Sequence, residues 1–308
     1  MSEYKSKIDF EEISVNNKNI KVERIGEKKL ISLPIKVIVD KNSFLHIGAS
    51  GYSYMSASQR IPQNIHMPVF VVDRLPIIPA TSFKGVLRVQ LEHLIIDKHN
   101  HFKQIFNVGD DEFIKPCIPA VGITPAEEGL IGKYRAQYRN QKYTTCYISM
   151  EPKENEKPLT EYGICPVCYF MGAAGVMGFL RVYNLTTTID SVIYQTRIRS
   201  DRKTFTAAHG AKVDVMQVKG GTIFNGSIDI ILEDFISRLQ CTTFGYARKL
   251  KIRDGEDIID KWIENWGEAD TKKRVELLIN ELLIPSIKNI TELGGIKSAG
   301  AGKVSVDI

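Results

Sequence analysis

Cys165 and Cys168, in the run Cys165-Pro166-Val167-Cys168, form a turn able to offer two thiolates to one metal ion. A structural zinc takes four ligands, so this run needs two more. Cys117 and Cys146, in the same stretch of chain, are the parsimonious completion; His99 and His101 are alternatives, and Cys241 reads as a buried thiol. The plain alternative is a C-P-V-C turn that binds nothing. Further on, Gly294-Gly295-Ile296-Lys297-Ser298-Ala299-Gly300-Ala301-Gly302-Lys303 sets glycines and lysines between a helical pattern and a terminal strand pattern. Such a loop brings backbone N–H groups close to phosphates while the lysines neutralise charge. It is neither a P-loop nor a dinucleotide fingerprint, because both of those follow a strand and open a helix. A bare glycine turn is its plain alternative.

The charge pattern points the same way. The 308 residues carry 41 Lys+Arg against 36 Asp+Glu, a formal net of +5, but the excess is local. Residues 41–72 contain Lys41 and Arg60 and no acid, and residues 132–142 hold Lys133, Arg135, Arg139 and Lys142 with none. Arg197, Arg199, Arg202, Lys203, Lys212 and Lys219 outnumber Asp201 and Asp214, and Arg248, Lys249, Lys251 and Arg253 form a tight run. The segment 256–281 reverses the balance, so a basic and an acidic face are expected, with a polyanion as partner for the first. Solvated basic loops are the competing reading.

Ordinary composition excludes disorder, collagen and coiled coil. The longest nearly uncharged apolar stretch, residues 167–180, falls short of the roughly 20 residues that a bilayer span needs. The first residues lack the apolar core of a secretory signal, so the expected compartment is the cytoplasm, where five cysteines read as thiols or metal ligands.

The elements that must position these groups follow from periodicity. Residues 31–39 are β-branched and predict a strand, with Pro34 arguing for an edge or a bulge; residues 44–47 predict a second. A polar loop from 49 to 68 is long enough to suggest function. Phe83, Val86, Leu87, Leu91, Leu94 and Ile95 predict a helix capped by Thr81 or Ser82, with Lys84 and Arg88 sharing one exposed face. Residues 97–164 show no period. Strands are predicted at 179–187, 192–199, 222–232 and 303–308, and a helix through Val275, Leu278, Ile279, Leu282 and Leu283 that Pro285 interrupts or bends. Strand, helix, strand, strand, helix, strand is the order of an α+β ferredoxin-like (RRM-like) core. A single elaborated domain over 1–308 is expected, with core elements at 31–96, 179–232 and 271–308, an insertion at 97–178 and a hairpin at 193–220.

Four stretches together resemble the RAMP superfamily, and within it the backbone subunits of CRISPR effector complexes, most closely those of type III. His46-Ile47-Gly48, with Ser50 in the loop after it, and Pro79-Ala80-Thr81-Ser82-Phe83-Lys84-Gly85-Val86-Leu87-Arg88 look like the family's first loop and its Pro-x-Ser-x-Lys-Gly-x-x-Arg helix. Cys165–Gly172 resembles its zinc-associated segment, residues 197–224 its β-hairpin thumb, and 294–303 its glycine loop. The resemblance implies a palm and thumb lying along CRISPR RNA and stacked with other copies or paralogous subunits, alongside large and small effector subunits and a target RNA or DNA strand. His46, Gly48, Ser50, Lys84, Arg88, Arg199, Arg202, Lys203, Gly295, Lys297, Ser298, Gly300, Gly302 and Lys303 are then expected at the RNA. Phe205, Val215 or Met216 would wedge between bases, simple hairpin packing being the competing reading for the last two.

Target-cleaving relatives carry an aspartate in the loop after the His-x-Gly segment. Residues 41–72 contain neither Asp nor Glu, and His66 stands where relatives often have a second acid. The expectation is therefore a subunit that holds RNA without cutting it. The alternatives are an endoribonuclease of the same family that processes CRISPR precursor RNA, with His46, Tyr52 or Lys297 as acid–base groups, and a backbone subunit of a DNA-targeting effector.

Overall fold

The computed structural model describes residues 6–49, 67–108, 116–117, 146, 164–173, 175–237, 240–252, 255–258, 260–264, 266–267 and 270–308. In chain order the strands are β1 (Glu12–Val15), β2 (Lys18–Lys21), β3 (Glu23–Ile25), β4 (Lys28–Val39), β5 (Val71–Val72), β6 (Leu75–Ile78), β7 (Leu180–Val182), β8 (Leu185–Thr186), β9 (Val192–Ser200), β10 (Ala207–Val218), β11 (Ile223–Ser237), β12 (Gln240–Thr243), β13 (Lys249–Ile252), β14 (Gly255–Ile258) and β15 (Val304–Asp307). The helices are α1 (Ala80–Asp97), α2 (His99–Ile105), α3 (Pro166–Met171), α4 (Lys261–Glu264), α5 (Thr271–Leu278) and α6 (Ile284–Lys288). The result is a mixed α/β chain built on antiparallel sheets.

Two compact units divide these elements. The hairpin unit comprises Leu33–Leu87, Val182–Ile228 and Ile287–Ile308. Its strands run in the order β15-β4-β11-β8-β6-β5. β15 pairs antiparallel to β4, with Val304 opposite Val39 and Val306 opposite Val37, and β8 pairs antiparallel to β6 and β11. Alternation drives the burial, since Leu33, Ile35, Val37 and Val39 are inside while Lys36 is out. Pro34 lies beyond the stretch that β15 pairs, which stops at Lys36, so its missing N–H removes no bond to that neighbour. The long ribbon β9–β10 pairs from Val192↔Val218 out to Ser200↔Ala207, with a register shift between Ala207 and Lys212.

Three expectations change here. Helix α1 begins at Ala80, which puts Thr81 and Ser82 inside its first turn, and the Ala80 N–H donates to Oδ1 of Asn184 at 2.8 Å instead. Residues 44–47 form no named strand: Leu45 makes an isolated bridge to Val218 and Gly48 one to Val69. The expected strand at 179–187 is two short ones, β7 and β8.

The cysteine unit comprises Met1–Ser32, Arg88–Arg181 and Asp229–Ser286. Its core is aromatic. Tyr169 packs edge-on to Trp262 at 5.3 Å and tilted to Phe179 at 4.7 Å, and Phe106 lies edge-on to Trp262 at 4.7 Å. Phe106 follows α2, a helix that the lack of period over 97–164 did not predict; two turns present only Phe102 and Phe106 to the core. Arg248 is buried, donating to both carboxylate oxygens of Asp260 at 2.7 and 2.8 Å, so the first member of the basic run at 248–253 faces inward. Asp270 caps α5 by accepting from the N–H groups of Lys272 and Lys273. Residues Ile279–Leu283 then widen into a π-helical turn, in which the Ile284 N–H reaches back to the Ile279 carbonyl. The widening precedes Pro285, which has no N–H to give, and Ser286 Oγ covers the Leu282 carbonyl at 2.8 Å. The helix runs on through the proline to Lys288.

Candidate nucleic-acid interface and metal centre

Within the hairpin unit, three segments far apart in sequence are tied together by backbone groups. The Gly295 N–H donates to the His46 carbonyl at 2.8 Å, and the Gly302 N–H to the Phe44 carbonyl at 2.6 Å. Ser43 Oγ donates to the Gly300 carbonyl at 2.8 Å. The same stretch holds the root of the ribbon: Leu45 and Val218 exchange N–H···O bonds of 2.9 and 2.7 Å, and the Met216 N–H donates to Met67 at 2.9 Å. His46 is buried, and its Nδ1 lies 2.8 Å from the Met216 carbonyl. A carbonyl only accepts, so Nδ1 carries the proton.

Glycine is required where the loop closes on this stretch. Gly294 adopts φ +78°, and a Cβ there would run into the His46 carbonyl; Gly302 adopts φ +95°, with its Cβ position 2.6 Å from the Leu293 carbonyl. In this loop Gly295, Lys297, Ser298 and Gly300, and Lys303 just after it, are exposed, while Gly302 is buried. Lys297 Nζ sits 3.4 Å from Glu292.

At the far end of the ribbon Asp201 organises a tight turn. Its Oδ1 accepts from the N–H groups of Lys203 at 2.7 Å and Thr204 at 3.2 Å, and its carbonyl accepts from Phe205 N–H at 2.9 Å. These bonds to the charged form hold the Asp201 carboxyl below its ordinary range. The turn forces Phe205 to φ +56° and leaves its ring 89% exposed beside exposed Arg202 and Lys203. Of the three apolar candidates, then, Phe205 is presented to solvent. Val215 and Met216 are buried, Met216 against Val69 and Val71. Gly48 bridges to Val69, and Lys84 is half-buried on α1 in this unit. Arg199 lies in β9, its side chain outside the described residues, as are Ser50, Tyr52 and His66.

In the cysteine unit, the Sγ atoms of Cys117, Cys146, Cys165 and Cys168 all lie within 4.8 Å of one another and all four residues are buried. Tetrahedral thiolates about 2.3 Å from an ion stand roughly 3.8 Å apart, so the set can hold a metal ion. Cys165 N-caps α3, whose first residue is Pro166, and Cys168 follows one turn later. Backbone N–H groups support the sulfurs: Cys117 N–H donates to Cys165 Sγ and Cys165 N–H to Cys146 Sγ, each at 3.4 Å. Burial pushes the Cys165 thiol up, whereas hydrogen bonds from Cys117 and the other thiols, and from Arg88, push Cys168 down. His99 and His101 stand outside the set, His101 facing Glu281 at 3.5 Å, and Cys241 is half-buried beside Thr242 and Thr243.

The family model of the RAMP superfamily matches residues 42–305, most of the chain. The chain belongs to the RAMP superfamily. No curated protein matches it. RAMP membership carries a CRISPR-associated role in a Cas complex, within antiviral defence, and family members typically bind CRISPR RNA and other Cas subunits. Among the described residues, no helix is long and apolar enough to cross a membrane.

Arg88, expected at the RNA with Lys84, belongs to the cysteine unit, where its guanidinium reaches Cys168 and Gly172. No local signal separates Lys84 from Arg88, since both occupy one face of a helix. Sequence reasoning missed the turn at Asp201, and its one local signal is the Asp itself, whose side chain favours bonds to backbone N–H groups just ahead of it.

Proposed function

We propose that this RAMP chain is a CRISPR RNA-binding backbone subunit of a type III-like effector ribonucleoprotein. The observation that carries the reading is the knot of backbone bonds joining the His46 segment, the glycine loop and the ribbon root. It makes one rigid platform from which a basic loop and a basic ribbon tip both project. Phosphate-tracking lysines and arginines suit a guide whose sequence varies, because they bind without reading bases. The palm is ferredoxin-like on this reading, supported by the strand order β15-β4-β11-β8, with α1 after the first strand and α5–α6 before the last. Its partners are further copies or paralogous subunits, large and small effector subunits and a target strand, in the cytoplasm.

The proposal extends to two further points. The subunit does not cut its target, because no carboxylate occurs in residues 41–72. The metal is zinc, chosen for an all-thiolate set of four, and its role is to crosslink chain segments without taking part in chemistry. Processing endonuclease activity is the less favoured reading, since His46 is buried and its Nδ1 proton is given to a backbone carbonyl.

The test is purification from cells co-expressing a CRISPR array, sequencing of bound RNA, and incubation with matched target and Mg2+. Guide-length RNA in a large assembly with intact target supports the proposal. Periodic target cuts overturn the non-cleaving part, and absence of CRISPR RNA overturns the whole.

A further inference from the structure

Arg88 Nη1 lies 3.7 Å from Cys168 Sγ, and Nη2 donates to the Gly172 carbonyl at 2.7 Å. Gly172 is the C-cap of α3, so one guanidinium grips both a sulfur of the cluster and the far end of the helix that carries it. The bond needs Gly172 as it stands, at φ +85°, with a Cβ position 2.9 Å from the Gly178 nitrogen. Four thiolates around a divalent ion leave a net charge of −2 in a buried place, where an uncompensated charge is costly. Arg88 is the cation in hydrogen-bonding reach of that charge among the described contacts.

Resting on the metal reading above, we propose that Arg88 is a positioning residue of the metal centre and not a phosphate ligand. It acts through Cys168, offsetting charge on the loaded cluster and fixing α3 so that Cys165 and Cys168 keep their spacing. Arginine suits this better than lysine, since its planar fork serves two acceptors at once. Helix α1 is thereby fastened to the C-P-V-C turn.

The experiment uses the full-length chain and three variants, Arg88→Met, Arg88→Lys and Arg202→Ala. Metal content is measured by elemental analysis, release by a colorimetric chelator, and the sulfur environment by the thiolate-to-metal charge-transfer bands of the Co2+-loaded protein. Affinity for an unstructured single-stranded RNA oligomer is measured against salt. Loss of an outer partner costs about 10–100-fold in metal affinity, so Arg88→Met should release metal faster by that order, with Arg88→Lys between it and the wild type. The Co2+ bands should shift in Arg88→Met. The salt slope should stay unchanged for both Arg88 variants and fall by about 0.7 for Arg202→Ala. Unaltered release and spectra with a reduced salt slope in Arg88→Met would overturn the inference and leave the metal reading standing. A wild-type chain that takes up no metal overturns both. If Arg88→Met fails to fold, Arg88→Lys and its Co2+ spectrum decide.

Discussion

The imidazole of His46 donates through Nδ1 to the carbonyl of Met216, while the carbonyl of His46 accepts from Gly295. One residue thus clamps the ribbon root with its side chain and the glycine loop with its backbone. His46→Ala keeps the second bond and deletes the first, leaving a buried carbonyl without its partner. The expected cost is about 1–3 kcal/mol in denaturant unfolding. RNA affinity should drop to the same degree for every sequence tested, as suits a residue that supports the platform. Sequence-selective loss would contradict this.

Phe205 should contribute stacking and nothing to the core. Phe205→Ala is expected to weaken single-stranded RNA binding by about 1–3 kcal/mol, read by fluorescence anisotropy, with the salt slope and thermal stability unchanged. Because φ at this position is +56°, Phe205→Gly should lose the same affinity while easing the backbone.

The Asp201 turn carries a pH signature. A carboxyl whose pKa is lowered by folding adds stability that is present above its ordinary pKa near 3.9 and lost as pH falls through the lower folded value. The amide resonances of Lys203 and Thr204 should therefore hold their native shifts until the pH is below the ordinary carboxylate range. Asp201→Asn should remove that titration, and a midpoint at or above the ordinary value would refute the assignment.

Two glycines of one loop should respond differently to alanine. At Gly300, φ is +84° and the space is open, so Gly300→Ala bears only the left-handed penalty of about 1–2 kcal/mol. Gly294→Ala adds a collision with the His46 carbonyl and should be the more damaging in both thermal unfolding and RNA binding. Equal losses would mean that the loop does not rest on the His46 segment.

Metal analysis should give one zinc per chain. Cys165→Ser should abolish retention, and Cys241→Ser, outside the set, should leave it intact. Chelation should lower the unfolding temperature of the wild type and leave that of Cys165→Ser unmoved.

Much of this was readable from residues alone. β-Branched residues along 31–39 and alternation along 222–232 identify strands, the 3.6-residue period finds α1, and a C-x2-C turn with two cysteines upstream finds the cluster. What was not readable shares one cause: it depends on partners remote in sequence. Asn184 takes the N-cap bond expected of Thr81 or Ser82, Asp260 draws Arg248 inward, and Cys168 and Gly172 engage Arg88. Segment 44–47, expected as a strand, makes instead an isolated bridge from Leu45 to remote Val218, and α2 is too short for its period to register.

The order in which the chain leaves the ribosome gives the cysteine cluster a special place. All four of its thiols have been translated by residue 168, so an ion can knot that segment while β15, the neighbour of β4, is still far downstream. Until β15 arrives, Lys36–Val39 presents an unpaired edge to any passing strand. The four thiols are thus all in place once residue 168 is made, whereas the vulnerable interval at β4 closes only when β15 pairs with it.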